Sequence, residues 1–435
     1  MLKNTVKFLF SILIILHFNV YASNTIQIIK KENKGSDTTL LVIAGIHGDE
    51  PGGYFSASIL ATHYKIKSKN LWIIPNLNKN SIQRNVRGIN GDMNRKFAKL
   101  KKNDKDADII KDIKKIILSE KVSLVLNLHD GHGFYRKKNQ GNIFNPNAWG
   151  QTCVIDQCNL KQNQPFGNLN NIAISVKDKM NKKLLKQHHS FDVRNTNTKF
   201  DDEAMQLSLT YFAVTNNKPA FAIESSKNLS SLSQKVFYQL LAIEEFMNIM
   251  KIKFSKDFKL TEENISKIIK NYGTLGINNN IFINLSNIKK SLSFIPIKLN
   301  SNDFKFSNPL GSVRKKHGYF KIYIGNKKIT TLKPDYFKIS KNCLKEFDVK
   351  IDNKISKLKA SEDFFVKKSF KIMAKDNIRV NIIGYKSKKQ KNENNINIKY
   401  KEMNKWYAVD KNKKIYRVEF YKDDKFCFMS KVHFK

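Results

Sequence analysis

The 435-residue chain is short of cysteine, tryptophan and proline, with four, three and eight of them, and short of acids: 37 Asp and Glu stand against 79 Lys and Arg. Four cysteines are too few for a disulfide-dense scaffold. Cys153 and Cys158 enclose a short loop and could pair, and Cys343 and Cys427 could bridge strands near the C-terminus or stay as free buried thiols. Four cysteines allow three connectivities, and the sequence leaves the choice open. Beyond residue 22 no apolar run is long enough for a transmembrane helix. No internal repeat of fixed period is present, which excludes a solenoid or repeat array.

The deficit of acids gives a net charge of +42. Such a balance suits nucleic acid, an anionic polymer such as peptidoglycan, or a membrane surface, and it also follows from a chain rich in Lys, Asn and Ile throughout. The lysines are spread evenly rather than striped with aromatics, which argues for compositional drift and an anionic wall surface and against nucleic acid.

What is present in quantity is apolar side chain. An apolar fraction of 41% with 11% aromatics supplies packed cores and excludes global disorder. The length accommodates two to four domains. Residues 1–22 read as a signal peptide: Lys3 and Lys7 form a basic start, 8–18 an apolar stretch of about 11 residues, and Val20-Tyr21-Ala22 a small-residue cleavage site. The other reading is an uncleaved anchor. Losing Lys3 and Lys7, with no acid between them, lowers the charge from +42 to +40.

From 23 to 252 apolar runs alternate with helical periodicity. Strands are expected at 25–29, 40–44, 71–74, 124–128 and 220–223. Helices are expected at 52–64, 107–119, 172–185, 204–212 and 234–250. Residues 76–97 are polar without periodicity, and 130–170 read as a long loop. This is the pattern of an α/β domain with a mixed sheet. After residue 254 short alternating runs take over. They divide into a small β domain over 258–337 and a C-terminal β-sandwich-like (Ig-like) domain over 338–435, so the fold class is an α/β domain followed by two small all-β modules.

The chemistry gathers around residues 40–51, LLVIAGIHGDEP. A buried strand breaks at Gly45, and His47 and Glu50 follow three residues apart, so that one turn of helix presents an imidazole and a carboxylate together. A catalytic zinc needs a third ligand from another strand end and one open position. His129 stands at such an end, directly after 124–128, with Asp130 and His132 nearby in supporting roles. Glu224 closes the apolar run 221–223 at a further strand end, where desolvation raises a carboxyl pKa toward that of a general base. In the stretch NVRGINGDMNRKF, Arg87, Asn94 and Arg95 offer two guanidinium groups and an amide, a set suited to a terminal carboxylate.

HGDE at 47–50, RGINGDMNR at 87–95, NLH at 127–129 and the strand-terminal Glu224 together resemble the carboxypeptidase A-like zinc metallopeptidases. The resemblance covers about residues 23–252. It implies one Zn2+ held by His47, Glu50 and His129, recognition of the substrate's C-terminal carboxylate by Arg87, Asn94 and Arg95, and Glu224 as general base, with Arg87 also stabilising the oxyanion. An exported enzyme domain followed by two β modules is most similar to the peptidoglycan DL-carboxypeptidases of curved and helical bacteria. That likeness implies a periplasmic enzyme that removes meso-diaminopimelate from muramyl tripeptide, leaves a dipeptide and sets cell shape. It further implies Trp149 and Thr210 lining the side-chain pocket and a tyrosine near the scissile bond, with Tyr211 and Tyr135 as candidates. The resemblance leaves the purpose of the β modules open, and presenting the enzyme to the wall or to other cell-shape proteins is the expectation for them. HGDEP, DMNR and NLH also resemble the aspartoacylase and succinylglutamate desuccinylase deacylases. A non-catalytic wall-binding scaffold is the third reading.

Overall fold

The computed structural model describes residues 18–19, 26–161, 164–374, 377–386 and 392–435. The expected signal peptide, 1–22, lies outside the described residues except for Phe18–Asn19, which pair with Lys305 and Phe306.

The N-terminal part is built on one seven-stranded sheet. In chain order its elements are β1 (Ile29–Lys31), β2 (Thr39–Ala44), α1 (Pro51–His63), β3 (Asn70–Ile74), α2 (Ala107–Ile117), β4 (Val122–Gly131), β5 (Thr152–Ile155), α3 (Leu169–Asn181), β6 (Asp192–Asn195), α4 (Leu209–Thr215), β7 (Ala220–Ser226) and α5 (Leu232–Ile249). The strand order is β6-β5-β7-β4-β2-β3-β1. Four pairs are parallel, namely β2 with β3, β2 with β4, β4 with β7, and β5 with β6; β5 with β7 and β1 with β3 are antiparallel. The sheet is therefore mixed, and β2 is buried at every position, as its uninterrupted apolar run requires.

The chain leaves β2 for β3 on one side and returns to β4 on the other. The order of the sheet switches between β2 and β4, which is where the crevice of an open α/β sheet opens at the carboxyl strand ends. α2 buries Ile110, Ile113 and Ile117, one stripe at helical spacing. α5 packs against α1 and β7 and is buried along most of its length.

The segment expected to be a loop, 130–170, contributes β5 to the sheet, and β6 joins through it. Val154 and Cys153 on β5 face Ala222 and Ile223 on β7. The four residues of β5 are all buried, so they lack the polar alternation that marks a half-exposed strand. The polar stretch 76–97 folds into a short helix, Lys79–Arg84, and a 3-10 turn, Met93–Arg95.

The remaining chain is mostly strands. A second large sheet contains Thr274–Ile277, Ile281–Asn284 and Phe304–Phe306 from before residue 337, and Arg379–Ile382, Ile415–Lys422 and Lys425–Phe434 from after it. The two sets meet where Ile281 pairs with Met429. One apolar core runs from the α/β part into the strands that follow it, and residues 347–434 hold a separate core. Cys343 and Cys427 form a disulfide, while Cys153 and Cys158 are free.

Candidate metal centre at the sheet switch point

β2 ends at Gly45, whose φ of +73° lets the chain turn sharply away from the strand. The Gly45 and Ala44 carbonyls then accept from Asn78 and Leu77, which ties the next loop to this edge. A Cβ on Gly48 would lie 2.1 Å from the backbone carbon of Ser81, so only glycine lets the 81–87 segment pass so close. Pro51 opens α1 in the first-turn position that suits proline, with Glu50 as N-cap residue. The Glu50 side chain makes no capping bond and turns instead into the site.

His47, Glu50 and His129 converge there with donor atoms within 4.8 Å of one another, all buried. Glu50 Oε1 lies 2.9 Å from His47 Nδ1, and Glu50 Oε2 lies 2.8 Å from His129 Nδ1. The two imidazole centroids are 5.0 Å apart. Two nitrogens and a carboxylate on rigid strand and helix ends form the donor set of an open catalytic zinc site, so these residues fit a divalent metal. Burial drives the Glu50 carboxyl upward, but the charges and hydrogen bonds of His47 and His129 outweigh it and hold the group well below the usual carboxylate range. Burial lowers His129.

Asp92 was not singled out from the sequence, yet it completes the inner geometry. Its Oδ1 accepts from His47 Nε2 at 2.8 Å and its Oδ2 from Arg87 Nε at 2.9 Å. A carboxylate on the far nitrogen of a ligating histidine fixes the tautomer and orients the ring. Its position two residues before Asn94 was the available signal. Arg87 also reaches Glu50 Oε1 at 3.2 Å while half of its side chain remains exposed. Lys227 bonds Asp49 at 3.0 Å beside this pair.

Glu224 sits on β7 directly across the ladder from His129 on β4. Burial, reinforced by the nearby Glu50 charge, raises its carboxyl well above the usual range. Asp130, adjacent to His129, is buried and pushed up to about 6, chiefly by desolvation; its carboxylate accepts from the Gly52 amide and the Ser225 hydroxyl.

The other expected site residues lie around this edge in different states. Asn94 is buried, and its Oδ1 caps the start of α4 by accepting from the Leu209 amide at 3.0 Å. Arg95 is half-buried and bonds the Asn94 carbonyl. Thr210 is buried in the first turn of α4, 3.2 Å from the Ser208 hydroxyl. Trp149 is half-buried under Arg194, whose guanidinium stands 3.9 Å from the ring centroid. Arg194 bonds the Ala148 and Pro146 carbonyls and so pins the Trp149 loop, and the same guanidinium feels the charge of Glu224. No sequence pattern marks Arg194, because its role depends on β6 lying beside β5. Tyr135 lies near Arg194, and Tyr211 is half-buried on α4. His132 lends its backbone carbonyl to Trp149 and Gly150, which holds this loop from the other side.

Comparison with known proteins gives the family. Residues 5–270 match the family described as the catalytic domain of the carboxypeptidase controlling helical cell shape, and residues 340–435 match the C-terminal domain of metallo-carboxypeptidase. The crystal structure of apo cell shape determinant protein Csd4 from Helicobacter pylori is 35% identical, with a TM-score of 0.88 over 94% of this chain and 100% of that one. The tripeptide-bound Csd4 structure matches with the same identity, coverage and TM-score. The mDAP-bound form of H. pylori Csd4, described as a D,L-carboxypeptidase, is 36% identical with a TM-score of 0.88 and the same coverage. No curated protein matches the chain. The protein is a metallo-carboxypeptidase and belongs to the family of carboxypeptidases that control helical cell shape.

Proposed function

We propose that the protein is an exported, zinc-dependent peptidoglycan DL-carboxypeptidase that removes meso-diaminopimelate from muramyl tripeptide and leaves a dipeptide in the periplasmic wall. The observation that carries this reading is the buried His47, Glu50 and His129 set with Glu224 in register beside it. The tripeptide and mDAP bound by Csd4 support the choice of substrate. The basic, leader-like start of the sequence supports export.

His47, Glu50 and His129 would hold the zinc. The chemistry it supplies there is polarisation of the scissile carbonyl and acidification of the attacking water. Asp92 keeps His47 oriented. Glu224, disposed to accept a proton by its desolvated position, takes one from the water during attack and returns it to the leaving amine. Arg87, with Asn94 and Arg95 on the same loop, receives the substrate's terminal carboxylate, and Arg87 also faces the developing oxyanion. Trp149 and Thr210 border the space for the diamino acid side chain.

The test is hydrolysis by the purified protein of soluble muramyl tripeptide and, separately, of N-acyl amino acids. Release of diaminopimelate, abolished by a chelator and restored by zinc, is the expected result. Hydrolysis of the N-acyl amino acids alone would assign the site to deacylation.

A further inference from the structure

Three aromatic side chains stand in water on the seam between the strand Ser291–Ile297 and the C-terminal strands. Trp406 is 81% exposed, more than any other large apolar side chain among the described residues; Phe294 is 57% exposed and Tyr407 is also exposed.

The backbone holds Phe294 there at a cost. Phe294 has a φ of +57°, a left-handed conformation that strains a bulky residue, at an irregularity between Leu292 and Ile295 in the pairing with the strand Lys327–Tyr336. The Ser293 and Phe294 carbonyls accept from Arg417 Nη2 and Nη1 at 3.0 and 2.9 Å. Arg417 is itself buried on the strand Ile415–Lys422 and lies 3.4 Å from Glu419. Trp406 rides on the 3-10 turn Lys405–Tyr407, and its own amide donates to Asn404 Oδ1 at 2.9 Å. The Lys405 and Trp406 carbonyls accept from Lys289 Nζ at 3.0 and 2.9 Å. A cation from each side of the seam thus grips the aromatic-bearing backbone of the other. The Phe294 ring that this strain displays is more than half exposed, and a glycine at 294 would relieve the strain.

Rigid exposed aromatics with fixed backbones are the anchors of a binding surface. Lys290 and Lys405 are exposed beside them, on a chain of net charge +42. Flat rings match the apolar faces of sugar rings, and the cations match carboxylates. We propose that Phe294, Trp406 and Tyr407 form a docking surface for an anionic glycan, the glycan strand of the wall with the carboxylates of its stem peptides. The proposal rests on the reading of this enzyme as one that acts on wall peptides, and assigns to the seam the task of holding it on the polymer.

The test uses the full mature chain and protein-free sacculi whose stems are already trimmed to dipeptides, so that the active site has no substrate to hold. Retention on sedimented sacculi is measured for wild type, Trp406→Ala, Phe294→Gly and the double variant. Retention is expected to fall at least tenfold in the double variant, while kcat/KM on soluble muramyl tripeptide stays within twofold of wild type. Phe294→Gly relieves strain, so its melting temperature is expected to hold or rise, which separates a lost ring from a lost fold. Unchanged retention in the double variant, or wild type that does not sediment with sacculi, overturns the surface even if soluble tripeptide is cleaved. Wild type that binds through these residues but releases no diaminopimelate refutes the substrate reading and leaves the surface standing.

Discussion

At the scale of single residues the site divides into groups that meet substrate and groups that hold those in place. In the proposed mechanism Glu224 belongs to the first. Glu224→Gln keeps the volume and removes the proton acceptor, so kcat is expected to fall by about 10²–10⁴-fold. Bound metal, measured by atomic absorption, is expected to remain at the wild-type level; loss of metal from this variant would make Glu224 a ligand instead. Asp92 belongs to the second group. Asp92→Asn weakens the hold on His47 Nε2, and metal affinity is expected to drop by about 10–100-fold. Competition with a chelator measures this, and unchanged affinity would mean that His47 needs no such support. His129 and Glu224 were legible in the sequence because each directly ends an apolar run, where a polar residue is conspicuous, and His47 and Glu50 because they follow such a run three residues apart. Arg194 was not, since neither its neighbours in sequence nor its spacing points to Trp149.

At the scale of elements, the loop after β2 depends on close backbone approach. Gly48→Ala forces the Ser81 backbone away. Because Ser81 leads through the short helix Lys79–Arg84 to Arg87 and Asp92, activity is expected to be lost together with about 1–3 kcal/mol of stability. Denaturant unfolding and a tripeptide assay check this, and a fully active, equally stable variant would contradict the packing. The elements the sequence disclosed were those with a clean period. α2 shows one apolar stripe, and β2 and β4 read as buried runs. β5 and β6 were hidden because they add to the sheet beyond β7 through tertiary pairing, in a segment whose local composition is polar and rich in Asn.

At the scale of the whole molecule, two forces on stability can be separated. His189 is buried, with Nδ1 2.9 Å from the Tyr238 hydroxyl. Burial, together with the nearby His188 and Lys186 charges, lowers its pKa to about 4. The unfolded chain then binds the extra proton first, so this contribution is complete above the ordinary histidine pKa of about 6.5 and is lost as pH falls toward 4, a change on the order of 3 kcal/mol. His189→Gln is expected to flatten the melting temperature against pH over that window, and an unchanged slope would assign the acid sensitivity elsewhere. The disulfide between Cys343 and Cys427 closes a loop with a sequence separation of 84 around the second core. Replacing both cysteines by serine is expected to destabilise that region by about 4 kcal/mol. Hydrolysis of soluble tripeptide is expected to persist, because the metal centre sits in the other core. Calorimetry should show an early transition in this variant, and a single unchanged transition would mean that the two cores melt as one.

In the proposed function the buried His47, Glu50 and His129 centre, with Glu224 as its base, cuts diaminopimelate from wall tripeptides. The measurement that meets it most directly is digestion of purified sacculi by wild type and by Glu224→Gln, with the muropeptides separated and weighed by mass spectrometry. A fall in tripeptide matched by a rise in dipeptide and free diaminopimelate, with wild type alone, is the predicted result. An unchanged muropeptide profile with metal-loaded wild type, or the same dipeptide rise with Glu224→Gln, would contradict it.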